Sequence, residues 1–118
     1  MPETHDLEVL INSATPIVVI ETRDEARIMA VFTRLSARMP LNFFHWTLTD
    51  GVRPLGIDQT GPDHSREPTD ALVEIKMSAQ PGVYILNDFH PFLEEPVHVR
   101  LLKDIALRQP LHQHTVVL

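Results

Sequence analysis

Asp88 closes the apolar run Val83-Tyr84-Ile85-Leu86, one residue on, and an abrupt aromatic turn follows, Phe89-His90-Pro91-Phe92. A buried strand that ends in an acid is where nucleotide hydrolases hold magnesium, provided a phosphate cradle lies nearby. That cradle needs the spacing G-x-x-x-x-G-K-[ST] between a strand and its helix, so that backbone N–H groups and a lysine surround the phosphates. The turn in that place reads ETRDEAR. It has no glycine and no lysine, and Glu21, Asp24 and Glu25 crowd the helix start. A triphosphate there meets like charge. Phe89 also stands where a glutamate would polarise the attacking water. The expected role of Asp88 is structural, as acceptor of an Asx-type hydrogen bond in the turn to Pro91.

Other chemistries are weaker still. A receiver domain of two-component signalling also ends its third strand in Asp, but it needs paired acids after the first strand, and only Glu21 stands there. Its proline also comes one residue later than Pro91 does. Among the seven histidines, His112 and His114 are expected on one strand face, with His90 and His98 near the neighbouring strand end. No acid separates the pair and few spacings match known ligand patterns, so no metal site is assigned. No G-x-S-x-G elbow is present for a serine nucleophile.

These residues need elements to hold them. HDLEVLINSA has Leu7, Leu10 and Ile11 at helical spacing. TPIVVIE is a strand with four β-branched residues in a row, Ile17 to Ile20, a pattern of burial on both faces in a parallel sheet. Thr22 to Arg38 is a helix opened by a T-x-x-E capping box of Thr22 and Glu25. Its apolar face joins Ala26, Met29, Phe32 and Leu35 with Ile28 and Val31, and Pro40 stops it. NFFHWTL is a second strand, whose Trp46 and one of Phe43 and Phe44 are expected in the core.

The stretch from Thr49 to Glu67 holds three of the four glycines and reads as a loop or short hairpin. Within it, Asp50 to Arg66 is expected to be the most mobile segment. Thr69 to Met77 is a short helix, VYIL a third strand, and Pro96 to Arg108 a helix with Val97, Leu101, Leu102 and Ile105 facing inward. HTVVL is a fourth strand. The order α-β-α-β-loop-α-β-α-β predicts one α/β domain over residues 1–118, three-layered, with a mainly parallel sheet of about four strands and helices on both faces. Val18, Ile20, Val83, Ile85 and Val116 are expected to be buried. A chain closing on an apolar strand predicts a longer parent.

Composition bounds the rest. An apolar fraction of 43% with 22% charged residues is that of an ordinary globular domain. No cysteine is present, which excludes disulfides and thiol chemistry and fits the cytoplasm. Net charge −6 without a basic stripe argues against nucleic acid. No run is long enough for a membrane span.

Three segments carry a family resemblance that covers nearly the whole chain. DLEVLINSATPIVVIETRDEARI resembles the opening of bacterial and chloroplast-encoded AAA+ ATPases. PTDALVEI is similar to that family's D-P-x-x-A-L helix, and VYILNDFHPFLEEPVHVRLLKDIA to its segment around D-F-H-P-F. Thr15 departs from the usual aromatic and Asp24 from the first of two glutamates. The resemblance implies a P-loop-like N-terminal domain that has lost its phosphate-binding loop and has no catalytic, cofactor or metal residues of its own. ATP and Mg would belong to a later module of an oligomeric parent. It further implies a regulatory or docking role toward that module, neighbouring subunits and a protein substrate. Asp88, His90, Pro91 and Phe92 would form a shared interaction surface. A receiver-like signalling domain, or an enzyme with an unrecognised site at the strand C-terminal edge, is the alternative.

Overall fold

The computed structural model describes residues 2–21, 24–55, 65–78 and 81–118, without the side chains of residues 2–4, 111 and 112. Its elements run α1 (Pro2–Asn12), β1 (Ile17–Val18), α2 (Glu25–Arg38), β2 (Asn42–Thr47), β3 (Gly51–Pro54), α3 (Pro68–Met77), β4 (Gly82–Leu86), a 3₁₀ turn (His90–Glu94), α4 (Pro96–Leu107), α5 (Gln109–His112) and β5 (His114–Val117). The expected α/β architecture is present, with five strands instead of about four. The additional strand is β3, which pairs antiparallel with β2 from Thr47↔Gly51 to Phe44↔Pro54. It comes from the glycine- and proline-rich stretch, so the hairpin alternative holds there. Residues 56–64 lie outside the described residues.

The strands lie in the order β1-β5-β4-β2-β3, and all neighbours but β2 and β3 are parallel. From β1 the chain crosses to β2 through α2, then steps back through α3 and α4 to β5. Right-handed crossovers that reverse direction must use opposite faces of the sheet. The two cores follow that rule. Leu7 and Ile11 of α1 and Ile28, Val31, Phe32 and Leu35 of α2 cover one face, against Val18, Phe43, Val83, Ile85 and Val117. Ala71, Leu72 and Ile75 of α3 and Leu101, Leu102 and Ile105 of α4 cover the other, against Trp46, Tyr84, Leu86 and Val116. A receiver-type sheet places its first strand between the second and third. Here β1 is at the margin, so the order is a different one.

Edge position overturns the expectation that TPIVVIE is buried on both faces. Val18 is buried, Ile20 is only half-buried, and Val19 is 68% exposed. In α2 the buried stripe is Ile28, Val31, Phe32 and Leu35, while Ala26 is exposed and Met29 half-buried. The N-cap is Asp24, whose carboxylate accepts the Arg27 N–H at 3.0 Å. The Thr22 end of the expected capping box lies outside the described residues. In α4, His98 takes the inward place expected of Val97, which is exposed. Positions 98, 101, 102 and 105 form the helical stripe, and Val97 is one residue off it.

Candidate functional site

The parallel strands β1, β5 and β4 end together at one edge of the sheet. The helix after β1 lies on one face and the helix after β4 on the other, which opens a crevice between their C-terminal ends, the usual ligand position in open α/β sheets. A cleft of about 710 Å³ occupies it. Ile20, Ile28, Leu93 and Leu118 belong to its apolar wall, and Glu21, Glu25 and Asp88 line it with carboxylates. None of the three has an ion pair or side-chain hydrogen bond among the described residues. Glu25 does act on His45 of β2, whose ring burial pushes below its ordinary pKa against the pull of Asp50 and Glu25.

Asp88 sits at the start of the turn, exposed, with φ 55°. That left-handed region disfavours most side chains, and Asp and Asn enter it more readily than others. No hydrogen bond from its carboxylate to the turn is found among the described residues, so the expected Asx-type bond is replaced by backbone conformation. The turn is closed instead by Phe92 N–H donating to the Phe89 carbonyl at 2.9 Å.

The four residues of the expected surface divide. Asp88 and His90 line the cleft, and Pro91 is exposed beside them. Phe92 is half-buried and points the other way, with its ring 6.2 Å from Trp46, 5.7 Å from Phe89 and 6.5 Å from His98 by centroid. It belongs to the support of the turn, not to its outer face.

That support is built on His98, which is 2% exposed. Its Nδ1 lies 2.6 Å from the Phe92 carbonyl oxygen and its Nε2 2.8 Å from Thr69 Oγ1. A carbonyl only accepts, so Nδ1 donates, and in the neutral ring Nε2 accepts the Thr69 hydroxyl proton. The Glu95 carboxylate is 3.7 Å from the same Nε2. One imidazole thus ties the turn to α3 and α4. Beside it Trp46 is fully buried and donates its indole N–H to the Ser65 carbonyl at 2.8 Å. The segments around Thr69, Phe92 and His98 are those quoted above for their resemblance, and they meet here. The sequence sets His98 only near a strand end; its i, i+3, i+4, i+7 spacing with Leu101, Leu102 and Ile105 is the signal for its burial.

The remaining histidines do not assemble as expected. His114 is buried in β5 with its ring 5.6 Å from Tyr84, while His112 belongs to α5 and its side chain lies outside the described residues. Among the described residues no three His, Asp or Glu side chains converge as a metal ion would require. No helix among them is long and apolar enough to cross a membrane.

Comparison with known proteins gives a family. The family model of the SpoVK-like AAA ATPase N-terminal domain matches residues 3–118. The "Uncharacterized AAA domain-containing protein ycf46" of Pyropia yezoensis is 31% identical over 106 residues, which cover 87% of this chain and 21% of that protein. The chain therefore spans about a fifth of the length of this curated relative. No solved structure matches.

Proposed function

The chain belongs to the SpoVK-like AAA ATPase N-terminal domains, and from that membership we propose that it is a non-catalytic docking or regulatory domain of a longer cytoplasmic ATPase. In this reading ATP and magnesium are bound by a later module, and the domain addresses that module, a neighbouring subunit of the assembly or a protein substrate.

The observation that carries the non-catalytic part is the lining of the cleft. The position of a phosphate cradle is taken by Glu21 and Glu25, faced by Asp88, over an apolar wall. At the helix start, Asp24 already accepts a backbone N–H that a phosphate would otherwise engage. A carboxylate within a few ångströms of phosphate costs roughly 1 to 4 kcal/mol, depending on screening. Glu21 and Glu25 together remove more than a decade of affinity, since about 1.4 kcal/mol is tenfold.

Two measurements test the reading. Isothermal titration of the 118-residue chain with Mg-ATP is expected to give no saturable heat. The parent lacking residues 1–118 is expected to keep ATP hydrolysis while its assembly or substrate engagement changes. Saturable micromolar ATP binding that vanishes in Asp88→Asn would overturn the first part. A truncated parent with unchanged assembly and substrate engagement would overturn the second.

A further inference from the structure

The margin of β1 is chemically unfinished. Val116 N–H bonds to the Pro16 carbonyl at 2.9 Å, Leu118 N–H to Val18 at 2.8 Å, and Ile20 N–H to Leu118 at 3.0 Å. Residues 16, 18 and 20 thus turn their backbone toward β5. The alternation of a strand turns Ile17 and Val19 the other way, and no partner for their backbone groups occurs among the described residues. Natural sheets blunt such an edge with charge, proline or a bulge. Here Pro16 stands on the β5 side of the alternation, and the outward pair is Ile17 and Val19.

This margin runs directly into the cleft, since Val19 and Ile20 line it. Resting on the docking reading above, we propose that the β1 edge and the cleft form one groove for an extended apolar segment of a partner polypeptide that carries an arginine or lysine. The segment adds as a strand beside β1, its backbone satisfying Ile17 and Val19. The stem of its basic residue lies along the apolar wall formed by Ile20, Ile28 and Leu118, and its charged head reaches the rim. Charge complementarity selects this occupant. Among the described residues no lysine or arginine lines the cleft with Glu21, Glu25 and Asp88, and the only basic ring in its lining is that of His90. The three carboxylates do not converge as metal ligands, so a cation on a long flexible stem suits them better than a point ion. A second copy of the chain brings net charge −6 and the same carboxylates to the groove, which opposes self-association.

The test is an NMR titration of the isotope-labelled chain with the pentapeptide acetyl-Thr-Val-Arg-Val-Thr-amide. Saturable shifts are expected at the amides of Val19, Ile20, Glu25 and Leu118, with slowed hydrogen exchange at Val19. Citrulline in place of the arginine keeps its shape without its charge. That exchange, or the Glu21→Gln/Glu25→Gln double variant, is expected to weaken binding about fivefold or more, the scale of one partly exposed ion pair. Equal binding of the citrulline peptide, shifts on another surface, unaltered Val19 exchange, or no binding at all would each overturn the groove. The docking reading is separable. If deleting residues 1–118 from the parent alters assembly while the peptide fails to bind, the groove falls and the domain role stands. If the peptide binds and the deletion alters nothing, the reverse holds.

Discussion

On the β2 side of the strand ends, the indole of Trp46 and the imidazole of His98 are both buried and both hydrogen-bonded. On the β1 side, Val19 lies largely in solvent and three carboxylates line a cleft without a lysine or arginine among the described residues. Both regions belong to one edge of one sheet, and the turn from Asp88 to Phe92 is their boundary. Phe89 and Phe92 join the aromatic cluster, and Asp88 and His90, with one side of the buried Phe89, line the cleft. Buried polar groups must be satisfied by the protein itself, whereas exposed ones can wait for a partner. The contrast separates the part that holds the turn from the part that presents it.

The largest effects should lie on the closed side. Trp46→Ala removes the most voluminous fully buried side chain and is expected to lower stability by about 3–5 kcal/mol in urea unfolding. A loss below about 1 kcal/mol would mean that this region is no better packed than the margin. His98→Phe keeps an aromatic ring, somewhat larger than imidazole, but strands the Thr69 hydroxyl and the Phe92 carbonyl, at a cost of about 1–3 kcal/mol. Combined with Thr69→Val, the loss should be smaller than the sum of the two single losses, because one of the stranded partners is gone. Strict additivity in that cycle would remove the Thr69–His98 bond from the account.

Asp88 tests the boundary. Asp88→Val forces a β-branched residue into the left-handed region and should cost about 1–2 kcal/mol, whereas Asp88→Asn should stay within about 0.5 kcal/mol because Asn tolerates that conformation. A loss of about 1 kcal/mol in the Asn variant would restore the side-chain hydrogen bond that the sequence led one to expect.

Asp104 sharpens the closed side through pH. A hydrogen bond from Lys76, at 3.1 Å, holds its carboxyl below the usual range, helped by Arg100 and Arg108 against the opposing effect of burial. A depressed folded-state pKa means that the unfolded chain takes up the proton first, so the contribution is present above the ordinary Asp value of about 3.9 and is lost as pH falls through the lower folded value. Thermal unfolding should show Asp104→Asn less stable than the parent sequence at neutral pH, with the gap closing in acid. A gap independent of pH would contradict this link between α3 and α4.

The smallest effect belongs to the open margin. Glu21→Gln should change stability by no more than about 0.5 kcal/mol, since an exposed carboxylate with no partner among the described residues contributes little. A clear loss would show that the margin is structural and erase the contrast.

Much of this architecture was readable from residue order alone. The β-branched run after Pro16, the capped amphipathic stretch to Arg38, the VYIL run and the Pro96 helix each carry their own local signal. Burial periodicity and helix starts are properties of neighbouring residues, so a single chain reports them. The loss of glycine and lysine from ETRDEAR was equally plain. Tertiary structure decided what depended on who lies beside whom. Four β-branched residues look the same in a central strand and at a margin; only the pairing of β1 with β5 alone leaves Val19 in solvent. The burial of His98 was not legible because the groups that satisfy it, the Thr69 hydroxyl and the Phe92 carbonyl, come from other segments of the chain. For the same reason Phe92 and Asp88, four residues apart, ended in a core and in a cleft: the left-handed backbone at Asp88 turns the chain between them, and packing against Trp46 and His98 fixes which side each one takes.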